Sequence, residues 1–355
     1  MTAIKSLPTY FYKKITFLTV ILTFLIVVHH ATPNLRFGLI LSRDTPIIYG
    51  MKTLTEIAVP LFFFISGLLF YYNCNKEVLA KKITRRIRSL IIPYLLWNTL
   101  FFVIYWFLSH WEVSASRMHM VAMPSGISDI MLRILDSRFT PLWFVKDLII
   151  FTVFAPIIFL LINTRNLAIF TLSLTLLAGL FVGFSYKNPL TWLPVYLQGA
   201  ILGKYYYDLP ARQRANAITG LFSSKTSSHI ACIITCASFI SLYILVYLIP
   251  NSIIVFRYAT PLLLWIITDF VLGRYLNTSF EIKAWMGYTF FIYCTHYFVL
   301  NILQKLAVLN FKPTELFLTV LMIITPAVTI VLLIFIASKL SDFRIYKILT
   351  GGRGA

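Results

Sequence analysis

The chain is 355 residues long, with 59% hydrophobic residues, 12% charged residues and a formal net charge of +19, and its mean hydropathy is +0.84. A soluble domain carries about a quarter charged residues, and a water-soluble fold of this length cannot hide so much apolar surface, so the bilayer must be the solvent for most of the chain. The positive charge does not point to nucleic acid, because basic residues flanking apolar runs hold membrane spans in orientation.

Lys13-Lys14 open the first apolar run, which ends in Val28-His29-His30-Ala31-Thr32-Pro33. That end lacks a small-x-small cleavage pattern, so the run reads as a retained span and not as a secretory signal. A span needs roughly 20 mostly apolar residues. Ten segments qualify: 15–31, 54–74, 90–109, 141–162, 167–186, 190–207, 229–249, 258–273, 284–304 and 316–338. Several contain proline, which membrane helices tolerate because neighbouring groups satisfy the freed carbonyl. The expected fold is an all-α transmembrane bundle of about ten spans. Placing the N-terminus inside puts 20 of the 31 Lys and Arg residues on the cytoplasmic side, and an even number of spans returns the C-terminus there. The expected organisation is a cytoplasmic N-terminus over 1–14, a membrane domain over 15–340 and a cytoplasmic tail over 341–355. The tail residues Thr350 to Ala355 are expected to be disordered. The loop over 110–140 is expected to cover the outer mouth.

Ionisable groups at membrane depth cost several kcal/mol unless they face protein or water. At about 1.5 Å per residue, His29 and His30 lie roughly 24 Å along the first span, in its outer half. Lys146 and Asp147 lie near the outer start of the fourth span, Glu56 near the outer start of the second, and His296 at or beyond mid-depth of the ninth. Asp269 is the exception, near an inner end. Each alone can be an interhelical hydrogen bond or a cap. Together they point to a polar cavity opening outward.

On the opposite side, Lys81, Arg85 and Arg88 stand at i, i+4 and i+7, so on a helix they share a face, with Lys82 and Arg86 alongside. From spacing alone, an anchor that touches anionic lipid outweighs a site for a phosphorylated ligand. Aromatic residues near span ends, among them Trp97, Trp143, Trp192 and Tyr205, fit interfacial belts, and a few could stack on sugar rings. Ser66-Gly67 reads as a small patch for close helix packing. Cys232 and Cys236 sit one helical turn apart without a matching His or carboxylate, and no metal-ligand spacing, phosphate-cradling glycine loop or nucleophile elbow occurs.

Five segments together resemble the acyltransferase 3 family of membrane acyltransferases. They are the first span ending in Val27-Val28-His29-His30-Ala31 and the stretch Val59-Pro60-Leu61-Phe62-Phe63-Phe64-Ile65-Ser66-Gly67-Leu68-Leu69-Phe70. Then come Arg85-Arg86-Ile87-Arg88 running into Ile92-Pro93-Tyr94-Leu95-Leu96-Trp97, and Pro141-Leu142-Trp143-Phe144-Val145-Lys146-Asp147-Leu148. The fifth is Phe290-Phe291-Ile292-Tyr293-Cys294-Thr295-His296. The resemblance implies transfer of an acyl group, most often acetyl, from cytoplasmic acyl-CoA to a glycan or lipid-linked sugar outside the inner membrane, without a metal. It implies His30, or its neighbour His29, as general base, and Arg85 and Arg88, with Arg86 and Lys82, as ligands of the CoA phosphates. Glu56, Trp143, Lys146, Asp147, Tyr293 and His296 are then expected on the acceptor side. Many members carry a basic residue eleven positions before the histidine, where this chain has Thr19; its nearest bases are Lys13 and Lys14. A transporter or flippase of the same glycan, or a lipid-binding scaffold, would share the polar cavity and the broken helices. The sequence leaves open which acceptor and which acyl group are used.

Overall fold

The computed structural model describes residues 9–31, 46–109, 126–136, 141–181, 185–186, 188–206, 225–310 and 314–353. Among the described residues all regular structure is helical. Helix α1 covers Thr9–Ala31. Helices α2 (Pro46–Thr55) and α3 (Ala58–Tyr71) form one interrupted span. The interruption at Glu56-Ile57 follows from Pro60. Its ring has no N–H and clashes with the carbonyl four residues back, which is that of Glu56. The ladder resumes with Leu61 N donating to Ile57 O at 3.2 Å. A carboxylate is thereby delivered on a turn inside an apolar segment.

Helix α4 runs from Lys76 to Ser109, 34 residues without a break. The basic stretch 76–88 is its first turns, started by Asn75, whose side chain accepts from Val78 N at 2.9 Å. At about 50 Å the helix is longer than a hydrocarbon core of about 30 Å, so its basic start extends beyond lipid depth. Helix α5 (Ile127–Leu135) is followed by α6 (Trp143–Val153) and α7 (Ala155–Leu161), which meet at a 64° bend. Pro156 accounts for the bend, since it leaves the Thr152 carbonyl without its helical partner. Next come α8 (Arg165–Phe181), α9 (Pro189–Ile201) ending in a π turn over Leu202–Tyr206, and α10 (Lys225–Leu248). Helices α11 (Ile253–Thr278), α12 (Thr289–Asn310), α13 (Glu315–Leu340) and the short α14 (Arg344–Leu349) complete the chain.

Among the described residues, seven helical segments are long and apolar enough to cross a membrane, or eight if the bent α6–α7 pair is one span, so the protein is a multi-pass membrane protein. The expected count of about ten is not confirmed: within segments 167–186 and 190–207 the described helices are α8, with 17 residues, and α9, with 13 before its π turn. Most of the expected outer loop over 110–140 lies outside the described residues.

Ring contacts fix the helix directions. Phe17 meets Phe280 and His30 meets His296, while Trp97 meets Phe291 and Phe101 meets Phe298. Helices α1, α4 and α12 therefore run the same way, from a basic end holding Arg85 and Arg88 to a histidine end. The tightest seam joins α3 to α9. A Cβ on Gly67 would stand 2.2 Å from Tyr196 O, one on Gly199 1.9 Å from Phe64 O, and one on Gly203 2.4 Å from Leu68 O. The patch at Ser66-Gly67 is thus one half of a small-residue seam that draws two backbones together.

Of the tail expected to be disordered, residues 350–353 are ordered, and Gly354 and Ala355 lie outside the described residues. Thr350 is fully buried, Trp97 Nε1 donates to Leu349 O at 2.9 Å, and Gly351 lies against α4. Its φ of +62° and the Ser89 carbonyl, 2.4 Å from where a Cβ would sit, restrict this position to glycine. An apolar helix turn carrying Tyr346 pins the segment, which the composition of the last residues alone does not reveal.

Candidate functional site

At the histidine end a cavity of about 230 Å³ is lined by His29, His30, Thr55, Glu56, Trp143 and Tyr293, among others. Four separate elements supply these six residues: the last turn of α1, the α2–α3 break, the start of α6 and the first half of α12. Five of the residues expected at an outer polar site therefore meet, although they lie up to 264 positions apart (29 to 293).

The hydrogen bonds fix the imidazole tautomers. Thr55 Oγ1 donates its only proton to Lys52 O at 2.6 Å, so it accepts from His29 Nδ1 at 2.8 Å. His29 thus carries its proton on Nδ1 and keeps Nε2 as an acceptor. His296 is fully buried, and its Nδ1 donates to Tyr293 O at 2.7 Å. Its Nε2 has no hydrogen-bond partner among the described residues. Tyr293 in turn donates through Oη to Pro141 O at 2.5 Å, which ties α12 to the start of α6. His30 lies between the other two histidines, with ring centroids 5.4 Å from His29 and 5.2 Å from His296. His296 does not line the cavity; it backs the residue that does. Gln304 Nε2 donates to Ala31 O at 2.8 Å and fastens the end of α1 to α12.

Glu56 is held by Arg257, which is 4% exposed, at 2.6 Å. Tyr186 Oη donates to both Glu56 oxygens at 3.1 and 3.2 Å and also contacts Arg257 Nη2. Burial, and then the Glu56 charge, push the Tyr186 phenol upward, so it remains a donor. Sequence reasoning missed Arg257 and Tyr186. The available signal was an arginine beginning an apolar run on the same side as an acidic residue needing a partner. Trp143 stacks on Trp192 at 5.6 Å and meets Tyr186 edge-on at 6.0 Å, forming an aromatic wall.

Two expected members stand apart. Lys146 pairs with Asp136 at 2.9 Å instead of facing the cavity. Asp147 is fully buried, and neither carboxylate oxygen has a hydrogen-bond partner among the described residues. Adjacent helical residues face different ways, so the two cannot serve one cavity together. Lys14, one of the bases nearest the position of Thr19, is committed elsewhere. Its Nζ lies 2.7 Å from Asp269 Oδ1, donates to Trp265 O at 2.7 Å and sits 3.6 Å over the Trp265 ring.

At the basic end, a larger cavity of about 650 Å³ is lined by Lys81, Arg85 and Arg88 from α4 and by Lys347, Ile348 and Gly351 from the C-terminal segment. No ion pair neutralises these four cations among the described residues, and no carboxylate lines the cavity. Arg86 is turned away from it. Lys82 is also elsewhere: its Nζ donates to Phe70 O at 2.8 Å and to Tyr72 O, closing the end of α3. The two cavities share no lining residue. Counting along α4 and α12 from the Trp97–Phe291 contact, Arg88 and His296 are about 20 Å apart in depth. No group of three or more His, Cys, Asp or Glu side chains among the described residues could hold a metal ion.

Neither a curated protein nor a solved structure matches the chain. The model of a family described as an acyltransferase domain matches residues 12–337, nearly the whole chain and both cavities apart from the C-terminal wall of the basic one. With its helices, its histidine cavity and this match, the chain belongs to the acyltransferase 3 family and is a membrane acyltransferase.

Proposed function

We propose that the protein is an O-acyltransferase of the cytoplasmic (inner) membrane, with N- and C-termini inside. It moves an acyl group, acetyl from acetyl-CoA in the first instance, from cytoplasmic acyl-CoA to a hydroxyl of a glycan or lipid-linked sugar outside. The observation that carries this reading is the opposition of two cavities in one bundle. Unpaired cations line one, where guanidinium forks suit phosphate oxygens. Imidazoles line the other, and a neutral imidazole offers a ring nitrogen that can accept a proton, as a general base must.

In this reading Arg85 and Arg88 hold the nucleotide end of the donor, and its extended pantetheine arm covers the depth between the two ends. His30 is the base. It has no hydrogen bond to another described residue, whereas His29 already spends Nδ1 on Thr55. His30 takes the proton of the acceptor hydroxyl as that oxygen attacks the acyl carbon. A C–O ester bond forms, the C–S bond of the thioester breaks, and the proton leaves with the thiolate. The unfilled Nε2 of His296 stabilises the imidazolium form of His30. Trp143, backed by Trp192, offers a face on which a sugar ring stacks, and Glu56 with Tyr186 offers acceptors and a donor for its hydroxyls.

The test is transfer of label from [14C]acetyl-CoA to glycan acceptors by purified protein in nanodiscs. Label transfer that is lost in His30→Ala, with an unchanged elution profile, is the expected result. Absence of both transfer and CoA binding in the wild type would overturn the reading.

A further inference from the structure

The last described residues are packed like core. Helix α14 buries Tyr346 against Tyr288 and Phe291. Beyond it Gly351 and Gly352 adopt φ of +62° and +78°, and the chain turns inward. This brings Arg353 over the Phe290 ring, 4.4 Å from its centroid. Lys347, six residues earlier, lines the basic cavity together with Lys81, Arg85 and Arg88.

That cavity concentrates positive charge without compensation, since no ion pair neutralises Lys81, Arg85, Arg88 or Lys347 among the described residues. Like charges gathered in one place repel one another, and that repulsion is relieved when an anion sits between them. A segment that served only as an anchor would have no need to turn Lys347 toward the cations of α4.

We propose that α14 and the residues after it, through 353, form one wall of the donor site, in which Lys347 joins Lys81, Arg85 and Arg88 around donor phosphate while Arg353, seated over the Phe290 ring, holds that wall in place. This rests on the acyl-CoA reading above and deepens it. The occupant is a phosphorylated ligand, as the nucleotide end of coenzyme A is. Anionic lipid offers similar phosphate chemistry, but from the membrane surface.

The experiment measures CoA binding calorimetrically to the full-length protein in phosphatidylcholine nanodiscs. Lys347→Ala is expected to weaken CoA binding about tenfold, as loss of a charge-assisted contact does, and Arg353→Ala, which unseats the wall, about threefold. Pantetheine, which has no phosphate, should compete equally well against wild type and both variants, and Lys347→Arg should restore CoA affinity. Equal CoA affinity in wild type and variants would remove the tail from the donor site and leave the acyltransferase reading intact. No CoA binding by the wild type would overturn that reading and this wall with it. A second arm adds phosphatidylglycerol to the nanodiscs. If Lys347→Ala abolished phosphatidylglycerol binding and left CoA binding unchanged, the wall would belong to lipid and the proposal would fail.

Discussion

The rings of His30 and His296 lie 5.2 Å apart, one on α1 and one on α12, where the two helices run in the same direction. His296 is fixed from behind by the Tyr293 carbonyl, and His30 faces the cavity. The pair sets an order of importance among three histidines that sequence spacing leaves open.

His30→Ala is therefore expected to lower the rate of acyl transfer by roughly 10²–10⁴-fold, the range of a lost general base. His29→Ala should cost less, because His29 has one nitrogen already engaged. His296→Ala should be intermediate, because it removes the group behind His30 and not the base. Initial rates with labelled donor, measured on variants of equal thermal stability, check the order. A His29 variant more damaged than the His30 variant would reverse the assignment.

Thr55 tests the tautomer argument separately. Thr55→Val keeps the shape and removes the acceptor for His29 Nδ1, so the imidazole loses the bond that fixes its proton. Activity should fall several-fold with little change in melting temperature, and Thr55→Ser should recover most of it. If valine and serine behaved alike, the hydroxyl would have no part in the site.

Apolar length made most of the spans readable, and counting residues along them was enough to bring His29, His30 and Glu56 to one level, while Trp143 and Tyr293 were expected there only from the resemblance. What the sequence hid was partnership. That Lys146 and Asp147 face different ways follows from their adjacency on a helix, but that Lys146 finds Asp136 does not. Arg257 pairs with Glu56 across 201 positions, and no local pattern signals that. Lys82 is indistinguishable from Arg85 by composition, but it points at the carbonyls that end α3. The tail read as disordered because glycine and arginine carry little apolar signal, although Gly351 fits only where it is.

The Glu56–Arg257 pair should behave as a buried ion pair does. Arg257→Ala leaves a carboxylate 12% exposed without its cation and should cost about 3–5 kcal/mol. Glu56→Leu combined with Arg257→Met removes both charges and should recover most of that loss while abolishing acceptor binding. Thermal unfolding in detergent, run as a double-mutant cycle, gives the coupling. A near-zero coupling would mean that the pair is screened by water and does not organise the cavity.

Two glycines, one in the seam between α3 and α9 and one inside α11, should respond to substitution with opposite signs. At Gly199 a Cβ would stand 1.9 Å from Phe64 O, a backbone atom that cannot move without displacing α3. Gly199→Val should cost about 3 kcal/mol, the upper end for overpacking, and should also lower activity, since α3 follows directly from the break carrying Glu56. At Gly273, inside α11, a Cβ meets only the Tyr10 hydroxyl at an ordinary 3.4 Å. There Gly273→Ala should stabilise by about 0.5–1 kcal/mol, because alanine gives up less backbone freedom than glycine on forming a helix. Melting temperatures of the two variants in one detergent decide it. A Gly199→Val variant as stable as wild type would show that α3 and α9 do not approach this closely in the membrane.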